Sequence, residues 1–233
     1  MPDKTTGDVN PTSDDPATAG PRRPRLSLPR LVAGALDVAR DLGADRMTMK
    51  DVATRLDVGT MSLYYYVPDK AALLAHMVGR LYEDVCVPDA SEPWEDRLRS
   101  ILDQVYRGFL AVPGLEPHIQ LSEAALPSYA RVAEAVLAAL ADGGVPRSET
   151  TQAGLVLLGY ASDRGAATAR RQQLWRAEPT SRVRIVTWFE RSSYEHVRTS
   201  AAEAMEVAHE ETFEYGLDML LHGLRAHSLT AGS

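Results

Sequence analysis

At 233 residues the chain is long enough to bury a sizeable core in one or two domains. Its 45% hydrophobic and 24% charged residues are ordinary for a globular protein, and the single cysteine, Cys86, excludes an intrachain disulfide framework. A net charge of −7 excludes a general polycationic nucleic-acid coat. Residues 22–80 nevertheless carry ten Lys/Arg against six acids, net +4, while residues 1–21 are net −3 and residues 81–233 net −8. A short basic segment on an acidic chain suits local, specific contact with a polyanion. No secretory signal is visible, and the longest apolar run, Ala153–Ala161, is too short to span a bilayer, so a cytoplasmic protein with no membrane partner is expected. Cys86 is read as a buried, inert thiol.

Residues 1–25 hold five prolines and almost no large apolar side chain, and read as a disordered tail. Arg22, Arg23 and Arg25 at its end have two open readings: contacts to DNA phosphates or a minor groove, and a solvated linker. Helical periodicity then starts. Ser27 caps, Pro29 suits a first turn, and Leu28, Leu31, Val32, Ala35, Ala39 and Leu42 form one stripe before Gly43 stops the helix. Thr48 and Asp51 make a capping-box variant for a second helix with Val52, Ala53 and Leu56 inward. After the turn Asp57-Val58-Gly59, a third helix runs over 60–66, and Val67-Pro68-Asp69 breaks it. A fourth helix spans about 68–84.

Beyond Pro88 and Pro93, helices are expected over 94–112, briefly around 118–124, over 127–141, over 148–170 and over 200–224. The stretch 171–199, with Trp175, Pro179 and Trp188, reads as part helix and part loop. The resulting class is all-α: a disordered tail (1–25), a three-helix helix-turn-helix domain (26–72) and a helical domain (73–228).

Two helices joined by a tight turn place the second in a major groove. Here Thr60, Met61 and Ser62 open that helix, where hydroxyls meet base edges and Met61 packs on a thymine methyl. Leu63 and Val67, four apart, face the small core. Tyr64, Tyr65 and Tyr66 are placed to bond phosphates, and Lys70 and Lys50, early in their helices, to anchor the backbone. Double-stranded DNA is thus the expected partner.

The segment from Leu28 to Leu74 resembles the N-terminal domain of the tetracycline-repressor (TetR) family. The similarity is densest in Leu63-Tyr64-Tyr65-Tyr66-Val67-Pro68-Asp69-Lys70-Ala71-Ala72-Leu73-Leu74, and the upstream Thr48, Val52-Ala53, Leu56 and Val58 fit as well. Two positions depart from the pattern: Asp57 stands where the turn usually has Gly, and Tyr66 where His or Phe is common. Asp tolerates a left-handed turn better than most residues. The resemblance implies a recognition helix at Thr60–Tyr66, a backbone lysine at Lys70, and a C-terminal domain that dimerises and senses a small molecule.

In that domain Ala153, Gly154, Gly159, Ala161, Gly165, Ala166 and Ala167 offer close helix approach, and the last helix offers a leucine-rich face. Together they read as a homodimer bundle or as a monomer core. Tyr106, Phe109, His118, Leu121, Tyr129, Tyr160 and Trp175 are the candidate lining of a pocket for a small apolar or amphipathic effector. His118 and Glu123 alone are too few for a metal site, and no cofactor is expected. Ser122-Glu123, His209-Glu210-Glu211 and His222 are too scattered to make an enzyme site. The reading is a regulator, in first place a repressor, that binds a palindrome as a dimer and is released by an effector. A DNA-binding regulator without an effector, an activator and, last, an all-helical enzyme are the alternatives.

Overall fold

A computed structural model describes residues 25–121, 123–206 and 209–231. Nearly all of the proline-rich tail, Arg22 and Arg23 included, and Ser122 lie outside the described residues. Among those described, ten α-helices and one 3-10 turn occur, without a strand: α1 Leu28–Leu42, α2 Met49–Leu56, α3 Thr60–Tyr64, α4 Lys70–Glu83, α5 Trp94–Ala111, the 3-10 turn Glu116–Leu121, α6 Leu126–Asp142, α7 Arg147–Ala177, α8 Pro179–Glu190, α9 Glu195–Glu206 and α10 His209–Ala231.

The head, α1 to α3, follows its local chemistry. Ser27 caps α1 by accepting from the Arg30 amide, with Pro29 in the first turn and Gly43 at φ 87° closing the helix. The Thr48–Asp51 capping box is complete: Thr48 Oγ1 accepts from the Asp51 amide, and Asp51 Oδ2 accepts from the Thr48 amide at 2.8 Å and its hydroxyl at 2.6 Å. Asp57 takes the left-handed turn at φ 55°. Gly34 lets α2 approach α1, since a Cβ there would sit 2.6 Å from Leu56 Cδ2. Leu63 and Val67 are buried in this core.

Several boundaries and burials differ from the sequence reading. Leu42 is exposed, at the last residue of α1. α3 ends at Tyr64, and α4 starts at Lys70 because the Asp69 side chain, not Pro68, caps it by accepting from the Ala72 amide at 2.7 Å. Cys86 is exposed, on a linker whose backbone is gripped by the Gln104 side chain through both its amide and its carbonyl. The expected helix over 200–224 corresponds to α9 and α10, on either side of residues 207–208, which lie outside the described residues. The ambiguous stretch 171–199 is largely helical, shared between the end of α7, α8 and the start of α9.

The body is built on α5 lying along α7. Gly165 of α7 sits against α5 backbone, where a Cβ would crowd the Tyr106 carbonyl and lie 3.1 Å from the Leu110 nitrogen. Gly154 likewise admits Leu137 of α6. Ala161 and Ala166 are buried. The small residues of α7 that show a close approach thus serve packing within the chain; Gly159 alone of the three glycines has nothing within 4 Å of its would-be Cβ. Phe213 of α10 is stacked between Tyr106, at 4.1 Å, and Tyr160, at 5.6 Å. A buried aromatic in such a stack contributes strongly, so its truncation to alanine would cost about 3–5 kcal/mol.

α4 is the link between head and body. Its C-terminal carbonyls, Tyr82, Glu83 and Val85 beyond it, accept from the Arg131 guanidinium of α6. Gly79 lies against the Ala124 carbonyl, 3.0 Å from where a Cβ would stand. A second tie joins the α1–α2 loop to the body: the Ala44 amide donates to the Pro113 carbonyl at 2.7 Å, and Gln173 Nε2 to the Leu42 carbonyl at 3.1 Å.

Candidate nucleic-acid interface and ligand cavity

α3 presents its outer side to solvent. Met61 is 80% exposed and Tyr65 85%, while Ser62, Tyr64 and Lys50 are also exposed and Thr60 is half-buried. These two large side chains stand bare next to a fully buried Leu63, so the outer side of α3 takes no part in the core. The Asp51 carboxyl is held below the usual carboxylate range, first by the Thr48 side chain and then by the Thr48 amide, so α2 begins with a fixed negative cap beside Lys50.

Two of the expected phosphate contacts have hydrogen-bond partners within the chain. The Tyr66 hydroxyl donates to the Leu26 carbonyl at 2.5 Å, and the ring is partly buried against the core. It therefore pins the chain leading into α1, and a phosphate would have to displace that bond. Lys70 Nζ donates to the Asp45 carbonyl at 2.9 Å, which ties α4 to the α1–α2 loop. The partner of Tyr66 lies 40 residues away, beyond the reach of a periodicity argument.

In the body a cavity of ≈ 540 Å³ opens between α4, the 3-10 turn, α6 and α7. Its walls include Tyr82, Glu116, Tyr129, Gly159, Ser162 and Asp163. Of the seven side chains expected to line a pocket, Tyr129 does. Tyr106 and Phe109 are core, each 1% exposed, and Tyr160 spends its hydroxyl on the Thr212 and Phe213 carbonyls of α10. The guanidiniums of Arg171 and Arg182 pack over the Trp175 ring, and half-buried His118 is in the 3-10 turn but not in the cavity wall. The Leu121 side chain lies outside the described part. Sequence reading missed Tyr82, Glu116 and Asp163. Tyr82 falls on the inner stripe of α4 and looked like any core aromatic; Glu116 and Asp163 looked like solvated charges. Burial, followed by the neighbouring Tyr129, Asp163 and Glu116, pushes the Tyr82 phenol well above its ordinary range.

A second cleft, ≈ 620 Å³, lies at the head–body tie, between Arg40 and Arg46 on one side and Arg107, Gln173 and Arg176 on the other. Its guanidiniums are in part committed: Arg40 to Asp37, Arg107 to Asp103 and Arg46 Nε to the Leu42 carbonyl. No group of three or more His, Cys, Asp or Glu able to hold a metal occurs among the described residues. No described helix is long and apolar enough to cross a membrane.

Comparison with known proteins fits both halves. Residues 31–77 match the family profile "Bacterial regulatory proteins, tetR family", and residues 87–228, more than half the chain, match "Tetracyclin repressor-like, C-terminal domain". The chain belongs to the TetR family. It is therefore a helix-turn-helix transcriptional regulator and not an enzyme. This TetR-family regulator is 32% identical over 168 residues to the HTH-type transcriptional repressor DrrR1 of Streptomyces coeruleorubidus, covering 70% of this chain but 59% of DrrR1. It is 25% identical to an HTH-type transcriptional regulator of Saccharopolyspora erythraea, over 78% of this chain and 73% of that one. Among solved structures, the TetR family protein ActR of Streptomyces coelicolor in complex with actinorhodin superposes with a TM-score of 0.69 at 20% identity, covering 88% of this chain and 99% of ActR. That likeness is one of fold.

Proposed function

We propose that this TetR-family regulator represses transcription as a homodimer on a palindromic operator and lets go when a small amphipathic molecule fills the cavity of its body. The observation that carries the reading is Tyr82. It is a wall of the cavity and also part of α4, the helix that begins six residues after the recognition helix ends. A ligand that touches Tyr82 therefore touches the lever that aims α3. It can shift the equilibrium only by its different affinity for the two arrangements of α4, so contact with α4 itself is what the mechanism needs.

Thr60, Met61 and Ser62 are the base-reading side chains of this proposal, and Tyr64, Tyr65 and Lys50 the phosphate contacts. Tyr66 and Lys70 act behind them, as braces for the arm before α1 and for the α1–α2 loop. Dimerisation is supported by large side chains left bare on α7, α8, α9 and α10, among them Val156, Trp188, Val197 and Met219. Two half-sites one turn apart give the specificity that one short helix lacks. DrrR1 is named a repressor, and ActR has been crystallised with small molecules bound; both support the reading for this chain. Work on DNA places the protein in the cytoplasm.

The test is selection of bound duplexes from a random pool, with wild type and Met61→Ala/Tyr65→Ala in parallel. A palindrome with two half-sites is expected for wild type and its loss in the variant. Absence of any motif at low salt, where phosphate contacts are strongest, would refute the proposal.

A further inference from the structure

Resting on the effector reading above, we infer that the cavity takes an organic cation with a planar apolar body, its positive charge beside Glu116 and Asp163 and its ring in the corner formed by Tyr82 and Tyr129.

The polar groups of the wall are acceptors with little to accept. No Lys or Arg is among the cavity-lining residues, whereas two carboxylates are. Glu116 has one distant counter-ion, Arg170 at 3.8 Å, whose side chain is half exposed and so screened by water. Asp163 has no ion pair to a described residue. Ser162 already gives its hydroxyl proton to the Leu158 carbonyl at 3.0 Å, with the Gly159 carbonyl at 3.1 Å, leaving its lone pairs free. An anionic guest, or a neutral one without N–H or O–H donors, would face these oxygens without offering them anything. A cation satisfies them.

The aromatic wall points the same way. Tyr82 and Tyr129 meet edge to face, with centroids 5.3 Å apart at 85°, so one presents a ring face and the other a ring edge to a guest. Ring faces attract cations and flat ring systems alike. Tyr82 is 2% exposed, and no described residue hydrogen-bonds its hydroxyl. Yet that hydroxyl is not sealed in protein: the described side-chain atoms both sealed and unpaired are Arg97 Nε and Arg164 Nε. The phenol of a deeply buried tyrosine thus opens on the cavity and waits for a partner there. Burial first, then Tyr129, and after them the Asp163 and Glu116 charges raise its ionisation, so both carboxylates are within electrostatic reach of it. A volume of ≈ 540 Å³ holds a fused three-ring system with room to spare.

The experiment is calorimetric titration of the full chain, free of DNA, with a matched pair of probes: N-methylacridinium, a permanent cation, and acridine in mildly alkaline buffer, where it is uncharged. The cation should bind about tenfold more tightly than acridine, and the margin should shrink as salt is raised. Glu116→Gln/Asp163→Asn should weaken the cation by about tenfold and acridine by less than about twofold. The single variant Asp163→Asn, which leaves the Glu116–Arg170 pair intact, should fall between. Equal affinity for the two probes, or an unchanged cation affinity in the double variant, overturns the inference. If in that case Gly159→Leu still abolishes binding of both, the cavity remains the effector site and only its charge preference is refuted. If neither probe binds wild type, the cation inference is overturned and the effector site loses its support, while operator selection still decides the DNA-binding half independently.

Discussion

Two glycines six residues apart on α7 should respond oppositely to the same substitution. At Gly159 an added Cβ meets nothing within 4 Å. Replacing helical glycine by alanine there should stabilise by about 1 kcal/mol, the difference in helix propensity. At Gly165 the same methyl would lie under 3.0 Å from the Tyr106 carbonyl oxygen, 3.1 Å from the Leu110 nitrogen and 3.2 Å from Phe109 Cβ. Two of those three atoms are backbone of α5, so no rotamer change relieves the clash and the helices themselves must part. Overpacking of this kind costs about 1–3 kcal/mol before repacking losses in the Tyr106–Phe213 stack, enough to offset or exceed the propensity gain. The variants should therefore differ by about 1–3 kcal/mol in stability, which for a chain of this size is roughly 2–12 °C in melting temperature. Thermal denaturation followed by circular dichroism, at two protein concentrations, measures both. Gly165→Ala melting at or above Gly159→Ala would refute the α5–α7 packing on which the cavity rests. If instead both substitutions weakened the dimer in proportion to dilution, the glycines would belong to the interface between copies.

Tyr66→Phe should lower stability by about 1 kcal/mol through loss of the bond to Leu26, and change operator affinity by less than the exposed Tyr65→Ala does; the reverse order, by melting and by fluorescence anisotropy, would restore Tyr66 as a direct phosphate contact. Thr48→Ala should cost about 1 kcal/mol by removing the capping box of α2, read by chemical denaturation. The Asp51 carboxyl is depressed in the folded chain, so its stabilising effect is present above the ordinary aspartate value and is lost as pH falls through the lowered one. Wild type and Asp51→Asn should accordingly differ in stability at neutral pH and converge in acid; a gap that widens in acid would contradict the capping geometry. Phe213→Ala should destabilise by about 3–5 kcal/mol, and a loss under 1 kcal/mol by denaturant titration would place Phe213 outside the core.

The head was legible because its determinants are local. Thr48 and Asp51 are three residues apart, Asp57 needs only its own backbone to turn, and Leu63 and Val67 define a face by spacing alone. The body was not, because Tyr106, Tyr129 and Tyr160 are equivalent as letters. What separates them is which helix passes in front: α10 covers Tyr106 and Tyr160 with Phe213, while Tyr129 is left facing the gap between α4 and α7. The stripe of small residues on α7 carried the same ambiguity. Close approach was readable from Gly154 and Gly165, but its partner, α5 and α6 of the same chain, depends on the fold.

The two ties between head and body are not equivalent, and their difference sets what a ligand can do. At the α1–α2 loop a backbone hydrogen bond from Ala44 to Pro113, the Gln173 bond to Leu42 and the close approach of Gly114 to Asp45 converge within four residues. At α4 the contact is extended, from Gly79 against Ala124 to the Tyr82 carbonyl held by Arg131, and one of its members borders empty space. Under the proposed effector mechanism, a guest beside Tyr82 acts on one end of a helix of about 21 Å, fourteen residues at 1.5 Å each, whose other end carries Lys70 and its bond to the loop. In that proposal the loop is the pivot and α4 the arm, and Lys70, through its bond to the Asp45 carbonyl, is the joint by which a push on Tyr82 reaches α3.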